Sequence, residues 1–154
     1  MKYEGNLLSV CDMKASKEFY EGLLGQEILM DHGVHVMFKG FALQENYAEM
    51  IGIEPDSVKK QSHNFQLYFE VEDLDEWIKK LELEKIQFVH DKREYEWGQN
   101  TIRVYDPDMH IVEIAESMVS VVTRYLKQGM SVEETVKKTM FPVEFVTECK
   151  EHIK

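Results

Sequence analysis

The stretch LYFEVEDLDEWIKKLELEKIQFV, Leu67 to Val89, changes its period twice. It opens on β-favouring residues, passes Val71 and Asp73, and then sets Leu74, Trp77, Ile78 and Leu81 on one helical face. That spacing follows the 3.6-residue period, and an acidic residue where Asp73 stands favours a helix start. Beyond it the chain returns to strand-like residues. Roughly sixty residues earlier, LLSVCDMKASKEFYEGLLGQEI, Leu7 to Ile28, follows the same plan. There Val10 and Asp12 precede a helix with Phe19, Leu23 and Leu24 on one face. A weak internal repeat of this kind speaks for the whole architecture.

Each helix is followed by three strand-like runs. In the first copy these are Ile28 to Met30, Val34 to Phe38 and Phe41 to Gln44; in the second, Ile86 to Val89, Thr101 to Tyr105 and Ile111 to Ala115. Two βαβββ modules result, one from about residue 5 to 46 and one from about 63 to 116. NYAEMIGIEPDSVKKQSH, Asn46 to His63, joins them as a polar connection carrying Pro55. No Gly- or Ser-rich linker separates the modules, so residues 1–116 read as one fused domain. Residues 117–154 turn helical: Met118, Val119, Val122 and Leu126 form a stripe that Gly129 stops. Ser131 and Glu134 suit a capping box, and Pro142 suits the first turn of a third helix with Val143 and Val146 facing inward. The class is α+β with a C-terminal helical extension.

Bulk properties narrow the partners. The 154 residues are 44% hydrophobic and 31% charged, ordinary for a folded domain of this length. No apolar run is long enough to span a membrane, and the N-terminus lacks an export signal. Two cysteines, Cys11 and Cys149, then point to free thiols in a reducing cytoplasm. The net charge of −11 is uneven: residues 117–154 hold six basic and five acidic side chains, leaving 12 and 24 for residues 1–116. That acidic portion repels phosphate backbones, which argues against nucleic acid.

One carboxylate stands out. WGQNTIRVYDPDMHIVEIAE, Trp97 to Glu116, places Glu113 in an otherwise apolar β run after the turn Asp106-Pro107-Asp108. A buried charge costs several kcal/mol unless it is paired or bound to a metal (roughly, after relaxation). Strand alternation puts Ile111, Glu113 and Ala115 on one face and Val112 and Ile114 on the other.

The paired modules, SVCDMKASKEFYEGLLGQE near the start and WGQ…DPD…EI near the end resemble the vicinal oxygen chelate superfamily over Asn6 to about Glu116. That group holds glyoxalases, bleomycin-resistance proteins and extradiol dioxygenases. The tail resembles the helical extension of one bacterial subgroup of it. The resemblance implies a cup-shaped, incompletely closed mixed sheet built from paired modules, and in the metalloenzymes a divalent ion in the cup. It carries a metal-ligand role onto Glu113. It places the other ligand positions at Gly5, Gln44 and Gln66, where one residue has no side chain and two are neutral amides. Amides are weak ligands for transition metals, so a divalent metal is expected to be weakly held or absent. It also implies a homodimer.

Two functions remain open. The first is a binding module: the cup takes a small oxygen-rich or carbonyl-bearing molecule through Gln44, Gln66, Glu113 and Trp97, without a tightly held metal. The second is a metal-dependent lyase, isomerase or dioxygenase in which Gln44, Gln66 and Glu113 hold the ion, or Glu113 is the catalytic base. Without metal, Glu113 reads as a carboxylate satisfied by Gln44 and Gln66. Tyr68, Tyr95 and Tyr105 join Trp97 as aromatics available for stacking or for the core. Other chemistry finds little footing. Cys11 reads as a small buried hydrophobe. His32 and His35 read as hairpin-loop residues, and His110 faces away from Glu113 by parity. The tail segment Met130 to Glu151 has the cadence of a helix-turn-helix, but Glu144, Glu148 and Glu151 would meet phosphates badly.

Overall fold

Asp12 and Asp73 cap the two helices that the repeat predicts. Asp12 accepts from the backbone N–H of Ala15 at 3.0 Å and Asp73 from that of Glu76 at 2.9 Å. The computed structural model describes residues 1–153. The first module runs β1 (Asn6–Ser9), α1 (Met13–Lys17), β2 (Ile28–Asp31), β3 (His35–Phe38), β4 (Phe41–Gln44). The second runs β5 (Gln66–Val71), α3 (Leu74–Leu83), β6 (Phe88–Glu94), β7 (Asn100–Tyr105), β8 (Ile111–Glu116). Between them, the polar connection holds a short helix, α2 (Tyr47–Ile51), and a single 3₁₀ turn at Pro55–Ser57. The tail is α4 (Met118–Lys127), α5 (Val132–Thr139) and α6 (Val143–Glu151).

The chain divides into two compact units, residues 1–65 with the loop 105–110, and the remainder. Each unit holds an open four-stranded mixed sheet, ordered β1-β4-β3-β2 in the first and β5-β8-β7-β6 in the second. β1 lies parallel to β4, and β5 parallel to β8. The α+β class with two βαβββ modules therefore holds.

In the first unit α1 does not continue as a regular helix. Residues 18–23 widen into a π-helical turn, in which Leu24 N–H reaches Phe19 C=O at 2.9 Å. Phe19, Tyr20 and Leu24 are buried, whereas Leu23 is only half-buried. Tyr20 takes the expected place of Leu23 because its hydroxyl has a buried partner: it donates to Asp106 Oδ2 at 2.7 Å. Burial first, and then the Asp106 charge, push this phenol well above its usual range, so it stays a donor. Its ring packs 5.1 Å from Phe41, which stacks on Phe38 at 4.7 Å.

In the second unit Leu67, Ile102, Val104, Val112 and Ile114 are buried, and α3 packs on β8 through Leu74 and Leu81. β6 runs five residues past Val89, to Glu94. The charged run His90 to Glu94 lies beyond the strand-like run expected to end at Val89, and charges are what an edge strand carries against edge-to-edge pairing.

The tail departs from its expected stripe. Val121, Val122 and Tyr125 are buried, whereas Val119 is 48% exposed, and Val143 is 49% exposed while Val146 is buried. The shift follows from two coverings. Val122, Val146 and Cys149 make a small core with Leu126, Val132, Val136, Phe141 and Phe145 of the tail itself. On its other side the tail faces the end of β6 and the loop after it: from α4, Arg124 donates to Gly98 C=O and Tyr125 to Glu94 Oε1 at 3.2 Å, and from α5, Lys138 donates to Glu96 C=O at 3.1 Å. The capping box is present, Ser131 with Glu134. Among the described residues no helix is long and apolar enough to cross a membrane.

Candidate functional site

The β5–β8 register pairs Tyr68 with Glu113 and Gln66 with Ile111. One face of the second sheet therefore carries Gln66, Tyr68 and Glu113, with Thr101 and Arg103 arriving from β7 on the same parity. Glu113 is 3% exposed, so its charge must be answered locally. Arg103 answers it. The guanidinium Nη2 donates to Glu113 Oε2 at 2.6 Å, and Gln66 Nε2 donates to the same oxygen. Glu113 Oε1 accepts from Thr101 Oγ1 at 3.1 Å and from the Tyr95 hydroxyl at 3.5 Å.

Four of the five Arg103 N–H groups are engaged, one of them by Glu113. Nε donates to Gln66 Oε1 at 2.8 Å, Nη1 meets His90 Nε2 at 3.0 Å, and Nη2 also donates to the Tyr95 oxygen. Tyr95 stacks on Trp97 at 4.4 Å, and Trp97 Nε1 donates to Gln99 Oε1 at 3.1 Å. Gln99 in turn donates to the Tyr68 hydroxyl at 2.9 Å, and that hydroxyl donates to Glu70 at 2.8 Å. Burial pushes the Tyr68 phenol up to about 12, with Glu70 adding to the rise and the Gln99 bond opposing it.

Of the sequence-derived set, Gln66 and Glu113 come together, and Trp97 reaches them through Tyr95. Gln44 is placed otherwise: its Oε1 accepts from His35 Nδ1 at 2.8 Å and its Nε2 donates to Glu45 C=O at 2.7 Å. His35 is not a loop residue but the cross-strand partner of Gln44 in the β3–β4 ladder. Gly5 lies just before β1, where an added Cβ would sit 2.5 Å from the Gly40 carbonyl oxygen, so no ligand side chain fits there. Arg103, Thr101 and His90 stand outside the set, and Tyr95 enters the sequence reading only as an aromatic for stacking or the core. The signal for Arg103 lay in the quoted stretch: it is the one Lys or Arg between Trp97 and Glu116, on a strand beside the buried carboxylate.

These residues do not fit a resident divalent ion. Among the described residues no group of three His, Cys, Asp or Glu converges on one point. An ion bound to Glu113 Oε2 would also have to share that oxygen with a guanidinium nitrogen 2.6 Å away.

Cys11 is exposed, contrary to the buried hydrophobe expected, because it follows β1 on the wall of a cavity of about 570 Å³ in the first unit. Lys60, Asp108 and His110 share that wall. His110 Nδ1 lies 2.8 Å from the buried Asp106, which explains its orientation better than strand parity, since β8 starts only at Ile111. A hydrogen bond to Asp108 raises the Cys11 thiol above its ordinary value, burial and the Asp108 charge adding to it and Lys60 opposing. The folded state thus favours the neutral thiol. Its contribution is present below the ordinary thiol range and fades as pH rises through the raised value. Iodoacetamide at pH 8 should therefore alkylate Cys11 several-fold more slowly than an unstructured peptide thiol (roughly, from the lost thiolate fraction). Asp108→Asn should restore the rate. Equal rates for wild type and variant would show that Asp108 does not govern the thiol.

A family model described as Glyoxalase-like domain matches residues 3–119. A protein of unknown function from Agrobacterium tumefaciens str. C58 is 34% identical over 77% of this chain and 95% of its own, with a TM-score of 0.66. A lactoylglutathione lyase from Agrobacterium tumefaciens is 22% identical over 73% of this chain and 92% of its own, with a TM-score of 0.58. A glyoxalase/bleomycin resistance protein/dioxygenase family enzyme from Burkholderia phytofirmans PsJN is 12% identical over 77% and 100%, with a TM-score of 0.67. The last two show the fold alone. No curated protein matches the chain. With both modules inside the matched residues, the chain belongs to the glyoxalase-like domain family of the vicinal oxygen chelate superfamily.

Proposed function

We propose that the protein binds a small oxygen-rich or carbonyl-bearing molecule on the Glu113 face of the second sheet, without a tightly held metal. The ion pair between Arg103 and Glu113 carries this reading: the carboxylate that would hold an ion already has a cation at 2.6 Å. The guanidinium has five N–H donors, and four of them are engaged, by Gln66, His90, Tyr95 and Glu113. The fifth is free to meet a ligand oxygen, and the stacked Tyr95–Trp97 pair offers a flat surface beside it. The alternative, a metal-dependent lyase, isomerase or dioxygenase using Glu113, is supported by the retained carboxylate and requires Arg103 to leave it.

The homodimer, with the tail packing across or beside its interface, belongs to the same proposal, since Val119 is 48% and Val143 49% exposed there. Its further support is the edge strand β2, where Leu29 is 58% and Met30 46% exposed.

Metal content tests the reading directly. Untagged protein, dialysed without chelator, should contain far less than one equivalent of any transition metal by elemental analysis. A stoichiometric ion would decide for the metalloenzyme.

A further inference from the structure

Four acceptor atoms surround the Arg103 guanidinium: Glu113 Oε2 at 2.6 Å, Gln66 Oε1 at 2.8 Å, His90 Nε2 at 3.0 Å, and the Tyr95 hydroxyl oxygen. They arrive from β8, β5, β6 and the residue after β6. The histidine is set for this role. Its Nδ1 lies 2.7 Å from the Asp91 carbonyl, which can only accept, so Nδ1 carries the proton and Nε2 presents a lone pair to Arg103. Of the four acceptors, the Glu113 carboxylate and the His90 imidazole are ligand types that a borderline divalent cation takes, while the amide and phenol oxygens are weak ones.

We infer that Arg103 is a built-in cation filling a latent metal-coordination site, and that its side chain is what keeps divalent ions out. This set differs from the one the sequence suggested. It uses His90 on the edge strand, and it dispenses with Gly5 and Gln44. Removing the guanidinium leaves a buried anion and an imidazole facing one space. A metal ion completed by water relieves that uncompensated charge, as any cation would, but with directional bonds to His90 and Glu113. The inference concerns the cation alone and does not depend on which small molecule the face holds.

The test uses untagged full-length protein, with Ni²⁺ followed by calorimetry and Co²⁺ by its visible absorption. Wild type should take up neither ion. R103A should bind one equivalent of Ni²⁺ more tightly than wild type by roughly tenfold or more, the lower end of what changing a group around a metal site does to its affinity. Ni²⁺ should also raise its melting temperature through binding to the native state. R103Q, which keeps a hydrogen-bond donor beside Glu113, provides a second, less disruptive background and should gain Ni²⁺ as well. R103K keeps a positive charge in place and should stay metal-free. Adding H90A or E113Q to R103A should each remove the gained affinity and the Co²⁺ spectrum. Those losses separate this site from adventitious surface histidines. The inference is overturned if neither R103A nor R103Q binds or is refolded by Ni²⁺, if wild type binds as tightly, or if H90A leaves the gained affinity untouched.

Discussion

Arg103→Ala is expected to destabilise the protein by about 3–5 kcal/mol, the usual penalty for stranding one partner of a buried ion pair. In a chain of this length that is a fall of roughly 10 °C in melting temperature. The asymmetry of the pair sets the expectation: the Glu113 side chain is 4% exposed and that of Arg103 20%. Without the guanidinium the carboxylate keeps only Gln66, Thr101 and Tyr95, all neutral donors. The reverse deletion should be milder. Glu113→Gln leaves an amide oxygen for Thr101, and the abandoned guanidinium keeps Gln66, His90 and Tyr95 with some access to water. Its expected cost is about 1–3 kcal/mol, that of a lost charged hydrogen bond. Urea denaturation of both variants checks the order. An Arg103→Ala protein as stable as wild type, or less affected than Glu113→Gln, would mean that the pair is not what satisfies Glu113.

Gly5→Ala should be nearly as damaging, although it adds one methyl to a residue outside every strand and helix. The backbone there has φ of +144°, a region that side chains rarely adopt. The new Cβ would sit 2.5 Å from Gly40 O and 2.8 Å from Gly40 C. Both are backbone atoms, and the neighbouring Asn6 N–H donates to that same oxygen at 3.2 Å. Neither side can yield without disturbing where β1 enters its parallel pairing with β4. Backbone strain of about 1–3 kcal/mol joins an overpacking cost of about 1–3 kcal/mol. Gly5→His should be no milder and should not confer metal binding. Thermal melts with and without Ni²⁺ read both points. A Gly5→Ala melt within a degree of wild type would refute the close approach.

The parts of this fold that were legible share one property: their cause lies within a few residues. The caps at Asp12, Asp73 and Ser131 are three-residue events, and each is found as read. The alternation that sets Glu113 apart from Val112 and Ile114 is likewise local. What stayed hidden depends on pairing across the chain. Gln44 turns to His35 because the β3–β4 hairpin brings nine-residue neighbours face to face. Arg103 looks like a solvated strand charge until β7 is known to lie beside β8. Tyr20 is drawn inward, displacing Leu23, by Asp106, 86 residues away. In the tail, period alone found Val122 but missed Val121 and Tyr125, because α4 is covered from two directions.

Seen from the loop between β6 and β7, the C-terminal extension acts as a splint. Arg124, Tyr125 and Lys138 end on Gly98, Glu94 and Glu96, so they bracket the short segment that displays Tyr95 and Trp97. Gly98 is fitted to this: with φ of +85°, it lies so close that an added Cβ would be 2.4 Å from the Tyr125 hydroxyl. Cutting the chain after Glu116 would leave every strand in place. Its first effect would be on the rate at which the backbone amides of residues 95–99 exchange with solvent. In the binding role proposed above, the extension would thus govern how fast the aromatic pair engages a ligand.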